Sequence, residues 1–224
     1  MALKITFLGH SGFIFEEGAH AVVVDPFLTG NPVASHQPEQ IKATHVALTH
    51  GHADHFGDDT IAILKNNDAT AIGAFEICEY LGEQGIEKAE PGNPGGQIEM
   101  PFGWVAFTQA FHSSSYQGRY MGMPCGLVIH IGGKTIYHAG DTTIFSDMKM
   151  IGDLYKPDIA CLPIGDRFTM GPRLATRAAD MIKAKVAVPI HYNTWPPIAQ
   201  DPEEFRPANA EVKVLEPGET WQPE

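Results

Sequence analysis

Four metal-ligand side chains stand within six residues in the run His50-Gly51-His52-Ala53-Asp54-His55. Imidazole nitrogens and a carboxylate are donors that suit zinc, with manganese or iron as substitutes. The run directly follows His45 to Thr49, a short apolar segment bounded by polar residues that reads as a buried strand. In a loop leaving a strand, residues two apart can point the same way, so His50 and His52 can grip one ion. Asp54 and His55 come where the chain turns toward the next helix, aimed at a neighbouring position. Gly51 and Ala53 are small enough to let backbone and ligands crowd together. The plainer reading is a solvated loop with four unrelated polar residues. So many donors at one strand end weigh against it.

An ion also needs ligands from elsewhere, and three more candidates stand just after strand patterns. His112 follows the run Val105 to Phe111, Asp141 follows Thr135 to His138, and His191 follows Val186 to Ile190. Loops leaving strand ends are where α/β scaffolds place function. A lone histidine is usually a surface or satisfied core residue; the threefold recurrence of one arrangement argues for a shared site.

The elements that must position these residues begin with short strands at Lys4 to Leu8, Gly12 to Glu16 and Ala21 to Asp25, with Gly18 turning the second into the third. Residues 27–40 read as an irregular loop. Asp58 and Asp59 are expected to cap a helix carrying Ile61, Ile63 and Leu64. A second helix over about 74–84 places Ile77, Cys78 and Leu81 on one face, with Gly85 at its C-terminus. Residues 91–96 make a sharp break. Strands then resume at Val105 to Phe107, run from Gly126 to Ile131, turn at Gly132-Gly133 and return through Thr135 to His138. Ile159 to Ile164 reads as a buried strand. A helix over about 173–184 sets Leu174, Ala178, Met181 and Ile182 on one face.

The two halves echo one another. Gly9-His10-Ser11, a hairpin and Asp25 in the first correspond to Phe111-His112-Ser113, a hairpin and Asp141 in the second. A sheet-and-helix unit used twice, packed sheet to sheet with helices outside, gives a four-layer αββα sandwich.

The 224 residues are expected to form one globular domain spanning 1–224. With 15 Lys and Arg against 27 Asp and Glu, the formal charge is -12, which repels phosphate backbones and anionic lipid. Nucleic acid and membranes are therefore poor partners, and a small-molecule substrate is expected; a bound dication would still accept an anionic one. A homo-oligomer is left open. The isolated cysteines, the lack of a signal-peptide layout and the absence of an apolar stretch of ~20 residues point to the cytoplasm.

Thr49 to His55, with His112, Asp141 and His191 in that order, resembles the metallo-β-lactamase superfamily. Leu8 to Gly12, Asp25-Pro26-Phe27, Phe111 to Ser113, Ala139 to Thr142, Pro163 to Gly165 with Phe168 to Pro172, and Pro189 to Tyr192 are similar to its compact metal-dependent hydrolases related to ascorbate-6-phosphate lactonase. The resemblance implies the αββα fold with two mixed sheets and two divalent ions. The first would take His50, His52 and His112, the second Asp54, His55 and His191, with Asp141 bridging. It implies a hydroxide held between ions ~3.5–4 Å apart that attacks a carbonyl or phosphoryl centre. Asp54 would also orient this nucleophile or pass its proton to the leaving group.

Around that set, His10 is expected at the pocket rim, binding substrate or a ligand through a hydrogen bond, and Asp25 behind a ligand. Ser113 and Asn193 are further substrate-binding candidates. Arg167 could clamp an anion but reads better as a surface arginine. Trp195 reads equally as a pocket wall or as packing. His138 reads as structural. His20, His36, His45 and His130 have no partners in the pattern.

The function expected is hydrolysis of a small ester, lactone or phosphoester. Alternatives are a phosphodiesterase or nuclease of the same superfamily, whose relatives usually carry an inserted clamping domain, and a non-catalytic metal-binding module. An oxygen-reducing di-iron role is disfavoured because those relatives carry Glu where His52 stands. Glyoxalase II resembles a longer chain with a C-terminal helical region.

Overall fold

The computed structural model describes residues 2–224. The first half runs β1 (Lys4–Gly9), β2 (Gly12–Glu17), β3 (His20–Val24), β4 (His45–Ala47), α1 (Asp58–Asn67), β5 (Thr70–Ala74), α2 (Phe75–Glu83) and β6 (Ala89–Gly92). The second runs β7 (Gln97–Met100), β8 (Gly103–Gln109), a small hairpin of β9 (Ser115–Tyr116) and β10 (Arg119–Tyr120), β11 (Cys125–Ile131), β12 (Lys134–His138), α3 (Met148–Tyr155), β13 (Ile159–Pro163), α4 (Pro172–Ile182), β14 (Val186–Ile190), β15 (Glu211–Val212) and β16 (Thr220–Trp221).

Two seven-stranded sheets result, in the orders β16-β1-β2-β3-β4-β5-β6 and β7-β8-β11-β12-β13-β14-β15. They share one topology. In each, three antiparallel pairings lead into three parallel ones, β3 to β6 in the first and β12 to β15 in the second. The repeat read from the sequence is thus a repeat of structure, with β1, β2 and β3 matched by β8, β11 and β12.

Three apolar clusters glue four layers together. The inner one packs Ile5, Phe13 and Val24 of the first sheet against Leu127, Ile136, Cys161 and Ile190 of the second. The outer ones join the first sheet to α1 and α2 through Leu48, Ile63 and Ile77, and the second sheet to α3 and α4 through Leu162, Ile151 and Ala178. Burying each such Leu or Ile is worth roughly 1.5–3 kcal/mol. This is the expected αββα sandwich. The parallel strands β4 and β13 are buried throughout, and β14 from Ala187 on, as strands covered on both faces must be.

Several expectations need correction. Neither Asp58 nor Asp59 caps α1 through its side chain. Asp59 instead accepts hydrogen bonds from Leu28 N–H, Thr29 N–H and the Thr29 hydroxyl, pinning the loop after Asp25. That loop also contains a short 3-10 turn at Pro38–Gln40. Residues 91 and 92, expected in a break, complete the edge strand β6. β5 and α3 have no counterpart in the sequence reading.

Candidate metal centre

The seam between the sheets opens at the ends of β1, β3, β4, β12 and β14, and every proposed ligand leaves one of these ends or the loop after β8. Strand alternation alone would not aim them inward. His10, Asp25 and His191, immediately after β1, β3 and β14, adopt φ of 57°, 43° and 55°. This left-handed conformation costs a non-glycine residue roughly 1–3 kcal/mol, and it swings each chain end across the seam. The register slip between Phe7 and Gly9 sits beside the first of these turns. The His191 N–H donates to the His10 carbonyl at 2.7 Å, so the two strained turns hold one another across the sheets.

The loop after β4 carries the dense cluster. Gly51 is required there, because a Cβ at this position would lie 2.3 Å from Met121 Cβ. A turn closed by His55 N–H and Phe56 N–H on the His52 carbonyl then brings Asp54 and His55 round. Phe56 anchors the turn, buried against Tyr116 with ring centroids 5.1 Å apart.

The seven expected ligands come together in two groups. His50, His52 and His112 offer nitrogens within 4.8 Å of one another. Asp54, His55 and His191 form a second group, which His10 joins. Asp141 stands between them: one carboxylate oxygen lies 3.3 Å from His55 Nε2, the other 3.5 Å from His112 Nε2 and 3.0 Å from His191 Nε2. His55 Nε2, His191 Nε2 and Asp141 Oδ1 are buried yet make no hydrogen bond. Unpaired buried donors and acceptors are costly, and an ion among them would satisfy all three. The residues present fit divalent metal.

The outward atoms of His55 and His50 are tethered as ligands require. The His55 Nδ1–H donates to Asp25 Oδ2 at 2.8 Å. The Thr49 hydroxyl donates to the same oxygen at 2.6 Å, which leaves its own oxygen to accept the His50 Nδ1–H at 3.0 Å. Thr49 N–H occupies Asp25 Oδ1 at 2.9 Å. Asp25 therefore stands behind His55, in the expected place. Thr49 was not singled out in the sequence; a threonine between a buried strand and the first histidine was the available signal.

The electrostatics show what holds the cluster when protons alone neutralise it. Burial disfavours charge on His191, but the Asp141 carboxylate outweighs it and carries its pKa up to about 9. Burial likewise opposes charge on His55, and Asp141 and Asp25 together raise it well above the usual value. Asp141 and Asp54 are correspondingly held well below the carboxylate range despite burial, by His191 and His55 and by His10 and His191 respectively. Burial and the positive His191 push His10 down to about 4. Burial and His55 push His50 well below its ordinary value. One group of imidazoles is thus ready as neutral donors and the other releases protons when a cation arrives.

The remaining candidates fall around this centre. The His10 side chain is fully buried, with Nε2 3.3 Å from Asp54 Oδ2 and Nδ1 2.7 Å from Thr194 Oγ1. Ser113 is exposed, its hydroxyl 3.2 Å from His52 Nε2. Asn193 uses its Oδ1 to accept the Gln200 N–H, and lines with His10 and Tyr192 a cleft of about 220 Å³. Trp195 and Phe27 lie ring to ring beside His10, at 5.1 and 5.7 Å from it. Arg167 is exposed and lies over Phe168 rather than on the ligands. His138 Nε2 donates to the Ser11 carbonyl, a structural tie between the sheets.

Residues 4–191 match the β-lactamase superfamily domain. The chain belongs to the β-lactamase superfamily. Within it the chain is 49% identical over 221 residues to a UPF0173 metal-dependent hydrolase of Geobacillus thermodenitrificans, covering 96% of this chain and 94% of that one. It is 48% identical over 226 residues to a second, from Bacillus mycoides, with 97% and 98% covered. Among solved structures it is similar to Igni18, a metallo hydrolase of Ignicoccus hospitalis, at TM-score 0.91 and 38% identity over 100% of this chain and 99% of that one. This superfamily member therefore groups with metal-dependent hydrolases.

Proposed function

We propose that the chain is a two-ion hydrolase that cleaves a small ester, lactone or phosphoester. The observation that carries this reading is Asp141, whose Oδ2 lies 3.5 Å from His112 Nε2 of one group and 3.0 Å from His191 Nε2 of the other, with Oδ1 3.3 Å from His55 Nε2. His50, His52 and His112 would hold one ion, Asp54, His55 and His191 the other, with Asp141 shared between them. When bound, such a pair acidifies water toward neutral pH and polarises the oxygen of the group to be cleaved.

The protein's own residues do the rest. Asp54 is the one carboxylate of the cluster with substantial exposure, its side chain 26% accessible against 2% for Asp141. Held ionised by His10 and His191, it stays a hydrogen-bond acceptor at every physiological pH. It can orient the attacking water and hand the proton to the leaving oxygen. Half-buried His52 and exposed Ser113 mark the side from which substrate approaches. Phe27 and Trp195 offer it an apolar wall.

The all-histidine first group favours zinc, with manganese or iron as substitutes. The charge of -12 sets small molecules ahead of nucleic acid and of anionic membrane. No helix among the described residues is long and apolar enough to cross a membrane. The three buried, free cysteines fit the reducing cytoplasm we assign.

Metal content, and hydrolysis of bis-p-nitrophenyl phosphate and a lactone panel by zinc- or manganese-loaded protein, test the reading. Two ions per chain and turnover abolished by Asp54→Ala are expected. Less than one equivalent of any transition metal would overturn it.

A further inference from the structure

We infer that His10 is itself a metal ligand, an imidazole donor to the ion held by Asp54, His55 and His191. The inference rests on the two-ion reading above. Its first support is distance: His10 Nε2 and the donor atoms of Asp54, His55 and His191 all lie within 4.8 Å of one another. Donors about 2.0–2.2 Å from one ion stand up to about 4.4 Å apart when opposite. A closure of a few tenths of an ångström therefore lets all four share one ion.

The second support is how the ring is held. His50 and His55 turn Nε2 inward and fix Nδ1 on Thr49 Oγ1 and Asp25 Oδ2. His10 does the same, with Nδ1 on Thr194 Oγ1 at 2.7 Å. A histidine that donates its Nδ1–H outward presents an Nε2 lone pair inward. Without an ion His10 Nε2 and Asp54 Oδ2 meet in a hydrogen bond of 3.3 Å, long for a charge-assisted one. It equals the 3.3 Å between His55 Nε2 and Asp141 Oδ1, two atoms that make no hydrogen bond. Such spacings are edges of a coordination shell.

The third support is the repeat. β1 and β8 occupy the same place in their sheets, and His10 leaves β1 as His112 leaves β8. The pseudo-symmetry that delivers His112 to the first ion delivers His10 to the second. The duplication then stops short of perfection at Asp25, which holds His55 rather than reaching an ion as Asp141 does. The two positions become unequal: four donors at the first, His50, His52, His112 and Asp141, and five at the second. The second position would accept an ion that takes five or six ligands, such as manganese or ferrous iron, as readily as zinc.

Long-range ¹H–¹⁵N correlation on zinc-loaded, ¹⁵N-labelled protein tests this directly, with His10 assigned by its disappearance in His10→Gln. The expected result is His10 Nε2 at a metal-bound shift and Nδ1 at a protonated one. A protonated Nε2 overturns the inference and leaves His10 as a positioning residue for Asp54. In chelator-competition titrations, His10→Gln should weaken one of the two ions by more than about 100-fold. Thr194→Val, which keeps the ring and removes only its tether, should weaken the same ion by about 10-fold. Unchanged affinities in both variants overturn the inference as well. Wild type that saturates at one equivalent would instead sink the two-ion reading. His10 would then stand only if that single ion is the one lost in His10→Gln.

Discussion

Replacing Asp25 with asparagine isolates how much the residue behind His55 contributes. Asn has nearly the same volume and tolerates the left-handed φ of 43°, so neither a cavity nor new strain enters. The carboxylate accepts three hydrogen bonds, from Thr49 N–H, the Thr49 hydroxyl and His55 Nδ1–H. An amide oxygen can keep the first, and the Thr49 hydroxyl can rotate to accept from the new NH2. That NH2 then faces the His55 Nδ1–H, donor against donor. His55 escapes by moving its proton to Nε2, the atom that must bind the ion. Loss of such a partner weakens metal binding by about 10–100-fold, or about 1.4–2.7 kcal/mol at about 1.4 kcal/mol per decade. In metal-free protein the same change removes a charge-assisted hydrogen bond worth about 1.5–3 kcal/mol. For a chain of this size that corresponds to roughly 3–12 °C in Tm. Chelator competition on the loaded protein and thermal unfolding of the stripped protein read the two effects separately. An Asp25→Asn protein whose affinity for both ions stays within about twofold of wild type would refute the argument.

Thr49→Val should loosen both ion positions by about 10-fold each, because one hydroxyl serves His50 and Asp25 together. Isothermal titration shows whether one site or two respond, and an effect confined to one would contradict it. Gly51→Ala forces a methyl into Met121 and should cost about 1–3 kcal/mol by urea unfolding, along with loss of the His50 and His52 ion. The metal-free chain should weaken in alkali. His191 has a folded pKa of about 9 against 6.5 unfolded, so its contribution is complete below 6.5 and is lost as pH rises through 9. Urea midpoints at about pH 6 and about pH 9 measure this, and equal midpoints would count against it. The same proton departs on metal uptake, so affinity should tighten over that interval, as titrations at both pH values would show.

The convergence of these side chains was legible because four donors stand behind one apolar run and the strand-then-donor arrangement recurs at His112, Asp141 and His191. The layers were legible because helix and strand periodicities differ. β5 was not. Its sequence, Thr-Ala-Ile-Gly-Ala, sets only Thr70 and Ile72 among alanines and a glycine, and it runs into α2 with no turn residue between them. α3 hid because Gly152 interrupts its pattern. A Cβ there would lie 2.2 Å from the Ile182 carbonyl, so close packing on α4 demands the glycine. β15 and β16 hold two residues each, too few for any alternation to show. The tether from Thr194 to His10 joins residues 184 apart in the chain, a pairing no local pattern announces.

The ligands are also divided between the sheets in a way that orders events in time. His10 and the 50–55 cluster belong to the first half, while His112, Asp141 and His191 belong to the second. A chain emerging N-terminus first presents its early portion before the rest exists. That portion carries five donors but cannot close either ion position, since one waits for His112 and the other for His191. On the two-ion reading, completing either position would be a late event in the life of each new molecule, and full ion occupancy would report that both halves have docked.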